Sequence, residues 1–149
     1  MQLESGSLIF QLEIGNTHEL QDLDHIAVGL INKHKWTAYV KLSDICLYNG
    51  IDISKLIHKV RFGLHPAFGF EVVDIEAKSG LPFQFSLTRD SHESFNMFIT
   101  IWWNKKSGIR PERIQIKHEM VFEGAGAKRI QNIKMLRRYC VKEIWAKTV

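Results

Sequence analysis

The chain has 149 residues, 45% of them hydrophobic and 24% charged, which suits one domain with a real core and excludes two ordinary domains or wholesale disorder. No apolar run approaches the roughly 20 residues of a membrane helix, and "MQLESGSLIFQLEIG" lacks a basic region followed by a signal core, so a soluble, intracellular protein with no membrane partner is expected. The formal net charge of +4 is unevenly placed: residues 128–149 hold seven basic residues against one acidic, a net +6, leaving 13 basic and 15 acidic residues, a net −2, in residues 1–127.

In "LIFQLEI", Leu8, Phe10, Leu12 and Ile14 share one face while Gln11 and Glu13 take the other, the period-2 pattern of a half-buried strand. "KWTAYVKL" repeats it, with Trp36, Ala38, Val40 and Leu42 opposite Thr37, Tyr39 and Lys41. Val60, Phe62 and Leu64 alternate with Arg61 and His65, "FEVVDI" adds a shorter edge piece, and "FQFSLT" presents Phe83, Phe85 and Leu87. "FNMFITIWWN" offers Phe95, Met97, Ile99, Ile101 and Trp103, and "RIQIKHEMVF" offers Ile114, Ile116, Met120 and Phe122. Turn signals lie between these runs: "YNGID", "HPAFG", "KSGLP", "TRDSHES" and "NKKSGIRP". Short strands at this spacing, without helical crossovers, predict an all-β, immunoglobulin-like antiparallel β-sandwich of about eight strands over residues 1–127.

From Ala127 the period changes. Ile130, Ile133, Leu136, Cys140 and Ile144 fall at spacings of three and four, which predicts a basic amphipathic C-terminal helix or tail over residues 128–149. Such a helix either packs on the sandwich, links to a partner subunit, or contacts nucleic acid.

The chemical motifs are mostly absent. There is no GxSxG, HExxH, GxGxxG or GxxxxGK[ST] pattern, and "EGAGAK" lacks the spacing of a phosphate-binding loop. Cys46 and Cys140 stand in no CxxC or CxxH spacing, so they read as packed thiols or one disulfide rather than as zinc ligands. His25 with Asp22 and Asp24 reads as a solvated acidic loop before it reads as a cation site. Ser91 or Ser94 beside His92 does not make a triad by adjacency. A binding protein is expected rather than an enzyme, with no cofactor and no metal.

Two loops have unusual content, "LHPAFG" and "TRDSHESF", and loops at one end of a sandwich are where such folds bind. In order and spacing, "KHKWTAYVKL", "DISKLIHKVRFGLHPAF", "LPFQFSL", "SFNMFITIWW" and "IQIKHEMVF" resemble the YEATS domain family across residues 8–123. The leucine-histidine pair before an aromatic, in "VRFGLHPAF", is the most specific piece of the match.

The resemblance implies a nuclear chromatin reader that holds an acylated lysine, acetyl or crotonyl, of a histone H3 tail between two aromatic rings. It implies Phe68 as one ring, His65 as the brace of its loop, and Ala67 where the family carries a serine. The second loop maps onto "SHESF", with His92 in the position of the second ring and Ser91 and Glu93 beside it; a backbone N–H of His92 or Glu93 would serve the acyl carbonyl. His34 and Phe95 fall at the pocket rim. The implied partners are subunits of a histone acetyltransferase, remodelling or transcription complex, and the basic C-terminal segment is compatible with DNA contact. The alternative is a scaffold subunit of the same fold that has lost acyl-lysine binding, since Ala67 lacks a hydroxyl and His92 replaces a larger ring.

Overall fold

Each alternating segment becomes a strand with its apolar face turned inward. The computed structural model describes residues 3–4, 7–20, 34–44, 52–64, 71–78, 84–91, 94–107, 109 and 112–136. In chain order the strands are β1 (Leu3–Glu4), β2 (Ser7–Leu20), β3 (His34–Leu42), β4 (Ile57–Gly63), β5 (Val72–Glu76), β6 (Phe85–Ser91), β7 (Asn96–Trp103), β8 (Arg113–Glu119) and β9 (Gly126–Leu136). One sheet runs β9-β2-β3-β6 with β1 also paired to β2, and the other runs β5-β4-β7-β8. Every pairing is antiparallel. The β4–β5 and β7–β8 connections stay within a sheet, while β3 to β4, β5 to β6, β6 to β7 and β8 to β9 cross between sheets.

The inward faces meet in one core. Phe10, Leu12 and Ile14 of β2, Ala38 and Val40 of β3, Val60 and Phe62 of β4, and Met97, Ile99 and Ile101 of β7 are fully buried. Removing this apolar surface from water is the main favourable contribution to the fold. The "FEVVDI" segment is an edge strand as expected, because among the described residues β5 pairs only with β4. Among the described residues no helix is long and apolar enough to cross a membrane.

Among the described residues, the outward face of the first sheet carries one buried acidic side chain. Glu13 is 7% exposed; it accepts from the Tyr39 hydroxyl at 2.8 Å and lies 3.6 Å from Lys41 Nζ and 3.7 Å from Lys128 Nζ. Burial, followed by the bond to Glu13, pushes the Tyr39 phenol well above its ordinary value.

Residues 126–136 are the main correction to the sequence reading: they form β9, not the start of a helix. The strand crosses the division expected between residues 127 and 128, and residues 137–149 lie outside the described part. The apolar spacing of Ile130 and Ile133 fits a helix face, but the free edge of β2 offers a row of backbone donors and acceptors that an extended segment satisfies. Pairing runs from Ser7 opposite Leu136 to Thr17 opposite Gly126. Contact at the turn end is close. A Cβ on Gly15 would run into the Ala127 carbonyl, and Gly126 sits at φ 108°, where other residues are strained. Cys46, Cys140 and the group His25, Asp22 and Asp24 also fall outside the described residues.

Candidate functional site

Strands β3, β4, β6 and β7 bring their termini to one end of the sandwich. His34, the first residue of β3, pairs with Ser91, the last of β6. Gly63, the last of β4, pairs with Phe98 near the start of β7. The chain therefore leaves β4 for residues 65–70 and leaves β6 for residues 92–93 at the same end. The two departures are tied together: Leu64 N–H donates to the Glu71 carbonyl at 2.9 Å, and the Glu71 carboxylate accepts from Arg89 at 2.9 Å. Both ion-pair partners are exposed, so the pair contributes at most about 1 kcal/mol. Its effect is positional: it ties Glu71, just before β5, to Arg89 of β6.

At this end Trp36 is 1% exposed and its indole N–H donates to Ser91 Oγ at 2.9 Å. Phe95 meets the Trp36 ring edge-on, with centroids 5.7 Å apart at 66°. A buried indole needs an acceptor, and here that acceptor is the last residue of β6.

A second brace joins the sheets. Asn16 of β2 and His118 of β8 are 2% and 6% exposed. Asn16 Oδ1 accepts from His118 Nε2 at 2.8 Å and from the Val121 N–H at 3.1 Å, while its Nδ2 donates to the Val121 carbonyl at 2.9 Å. This pattern sets the amide orientation and requires the proton on Nε2 of His118. Burial first, then the Arg129 charge, holds the His118 pKa below its ordinary value, with Glu119 opposing. His118 is a neutral donor at neutral pH.

The rim is aromatic and polar at once. His18 and His34 share a hydrogen bond of 2.8 Å between Nε2 and Nδ1, and both rings stack on Phe122, with centroids 5.3 Å and 4.9 Å away. His18 Nδ1 faces the Gly124 carbonyl at 3.0 Å, which only accepts, so that nitrogen carries a proton. When both rings are neutral, His34 Nδ1 is the donor to His18.

Of the residues expected at the site, Ser91, His34 and Phe95 lie together at this end, and His65, Ala67, Phe68, His92 and Glu93 lie outside the described residues. Ser91 is 5% exposed and serves Trp36, so its role here is bracing. Sequence reasoning missed Asn16, His18, Phe122 and the Glu71–Arg89 pair. One signal was available: the inward alternation Phe10, Leu12, Ile14 continues into Asn16 and His18, and polar residues at inward positions need internal partners.

A cavity of about 200 Å³ at this end is lined by Thr17, His18, Glu19, Lys35, Trp36 and Thr37. It is smaller than the roughly 300–1,000 Å³ of most ligand clefts, so the described residues form a frame rather than a complete slot. Among the described residues there is no group of three or more His, Cys, Asp or Glu able to hold a metal.

The family model described as the YEATS family matches residues 31–124. Among solved structures, "The Yaf9 YEATS domain Recognizing H3K122suc Peptide" is similar at 21% identity and TM-score 0.66, covering 90% of this chain and 88% of that one. "Crystal structure of yeast AF-9 homolog protein Yaf9" follows at 22% identity and TM-score 0.67, covering 87% and 80%. "Crystal structure of the Yaf9 YEATS domain bound to H3K27ac" has 20% identity and TM-score 0.65, covering 90% and 87%. No curated protein matches the chain by sequence. At these identities the structures speak for the fold alone.

Proposed function

The chain belongs to the YEATS family, and from that membership we propose that it is a chromatin reader, binding acylated lysine of histone H3 tails in a slot between residues 65–70 and 91–95. The observation that carries the reading is the Glu71–Arg89 tie at 2.9 Å, which joins the bases of the two segments bearing Phe68 and His92. The solved Yaf9 domains with H3K122suc and H3K27ac peptides support the ligand class.

The chemistry suits that ligand. Acylation turns an ammonium into a neutral amide, which can leave water for a slot between rings provided its N–H and C=O find partners. Phe68 and His92 form the walls and His65 braces the first segment. A backbone N–H of His92 or Glu93 takes the acyl carbonyl, and His34 and Phe95 flank the entrance. Ala67 supplies no hydroxyl, so the amide N–H is left to His65 or to water. The −2 charge of residues 1–127 favours a basic tail over an acidic one. On this reading the protein works in the nucleus as a subunit of an acetyltransferase, remodelling or transcription complex, with residues 128–149 offering a basic surface to DNA.

An NMR titration with matched H3 tail peptides, unmodified, acetylated and crotonylated, tests the proposal. Shifts confined to residues 64–71 and 91–95, seen only with acylated peptides and weakened at least about tenfold by Phe68→Ala, are expected. Silence with every acylated peptide would favour the scaffold reading, which the replacement of a serine by Ala67 and of a larger ring by His92 makes the one serious competitor.

A further inference from the structure

The opposite end of the second sheet carries a larger cavity, of about 690 Å³, lined by His58, Trp102, Trp103, Asn104, Lys105, Ile109 and Glu112. This volume falls within the roughly 300–1,000 Å³ of ligand clefts. We propose that it is a second binding site, remote from the loop end, for an acidic peptide segment of a partner protein that also presents an apolar side chain.

The first support is an unmet donor. Trp103 is 5% exposed, and among the described residues its Nε1 is the buried side-chain polar atom with no hydrogen-bond partner. A buried N–H without an acceptor is costly, and such groups are rare unless a ligand or partner supplies one. Trp103 also lines the cavity, where a peptide carbonyl or carboxylate would supply the acceptor.

The second support is the construction of the wall. Opposite β7 the register slips, with Ile57 facing Trp103 and Lys59 facing Trp102, so His58 is an extra, bulged residue. Bulges re-aim side chains, and His58 lines the cavity. The facing turn is fixed from several sides: Asn104 N–H donates to the Leu56 carbonyl at 2.9 Å, Ser107 N–H to the Asn104 carbonyl at 2.9 Å, and Ile109 N–H to Ser107 Oγ at 3.2 Å. Trp102, partly exposed, and the nearly buried Trp103 and Ile109 supply the apolar part of the lining.

Charge decides the occupant. The connecting sequence "NKKSGIRPER" holds four basic residues, Lys105, Lys106, Arg110 and Arg113, against Glu112. Lys105 and Arg113 are exposed, and neither is in an ion pair among the described residues. By contrast, Lys59 and Arg61 on the same side are engaged by Asp74 at 3.6 Å and 2.7 Å. The uncommitted cations suit carboxylates. Nucleic acid is the weaker fit: the Trp102 ring already carries Lys59 at 4.3 Å and Arg61 at 5.0 Å from its centroid, so a base stacking there would displace a cation.

The test is a titration of the ¹⁵N-labelled full chain with the blocked hexapeptide Asp-Glu-Leu-Phe-Asp-Glu, read at the tryptophan indole signals. The Trp103 indole proton is expected to move downfield as it gains an acceptor, while that of Trp36, already bonded to Ser91, stays in place. Lys105→Glu combined with Arg113→Glu, both surface changes, is expected to weaken the peptide by at least about tenfold. Trp103→Phe should do the same while retaining the apolar ring. The proposal is overturned if millimolar acidic peptide leaves Trp103 unmoved, or if the isologue with lysines in place of its acids binds as well. A single-stranded oligothymidylate shifting Trp103 in preference to the peptide would overturn it too, in favour of nucleic acid.

Discussion

His118 shows how one buried side chain can couple the frame of the loop end to pH. Its pKa is lowered in the folded protein, by burial first, while in the unfolded chain it returns to about 6.5. As pH falls through that value the unfolded chain takes up a proton that the folded protein resists, so stability is full above about pH 6.5 and declines below it. Between about pH 7 and 5.5 the melting temperature should therefore fall, and it should fall less in His118→Gln, whose amide can still donate to Asn16 but does not titrate. Equal slopes in the two proteins would remove His118 from the account. Its partner is the more sensitive position. Asn16→Ala strips the acceptor from both His118 Nε2 and the Val121 N–H, and a loss of about 2–4 kcal/mol in denaturant unfolding is expected for two orphaned donors.

At the scale of elements, β9 is where local pattern and tertiary pairing disagree. A helix reading puts Ile130 and Ile133 on one face, whereas residues three apart in a strand point to opposite faces. In the structure Ile133 is 7% exposed and Ile130 is 50% exposed. The two readings predict different mutants: Ile133→Ala should cost about 2–5 kcal/mol as a core truncation, and Ile130→Ala should stay within about 0.5 kcal/mol. Similar losses at both sites would argue for a shared buried face. The expectation of a helix failed over residues 128–136 because the competing interaction, the free edge of β2, lies about 120 residues earlier in the chain.

For the molecule as a whole, the crossing connections mean that neither sheet can bury its apolar face without the other. Trp36 from one sheet and Trp103 from the other belong to the same core cluster. Unfolding should accordingly be a single transition, with tryptophan fluorescence and far-UV circular dichroism tracing the same curve in urea; two separated midpoints would show sheets that melt independently. The sandwich also separates its two ends. One carries the loop frame built on Trp36, Ser91 and Asn16, and the other carries the Trp103 cavity, with the eight residues of β7 between them.

Seven of the strands were legible in the sequence because alternation is a local property: a strand half-buried in a sandwich must repeat every two residues, and Leu12, Val40, Phe62 and Ile99 each obey that rule. The motif "VRFGLHPAF" likewise pointed to the family from residues alone. What tertiary structure decided were relations between distant positions. Asn16 meets His118, Glu71 meets Arg89, and β9 closes on β2, none of which any periodicity encodes. A side chain's local pattern fixes which way it faces, but its partner is fixed only when the strands are laid side by side, since hydrogen bonds form between neighbours in space.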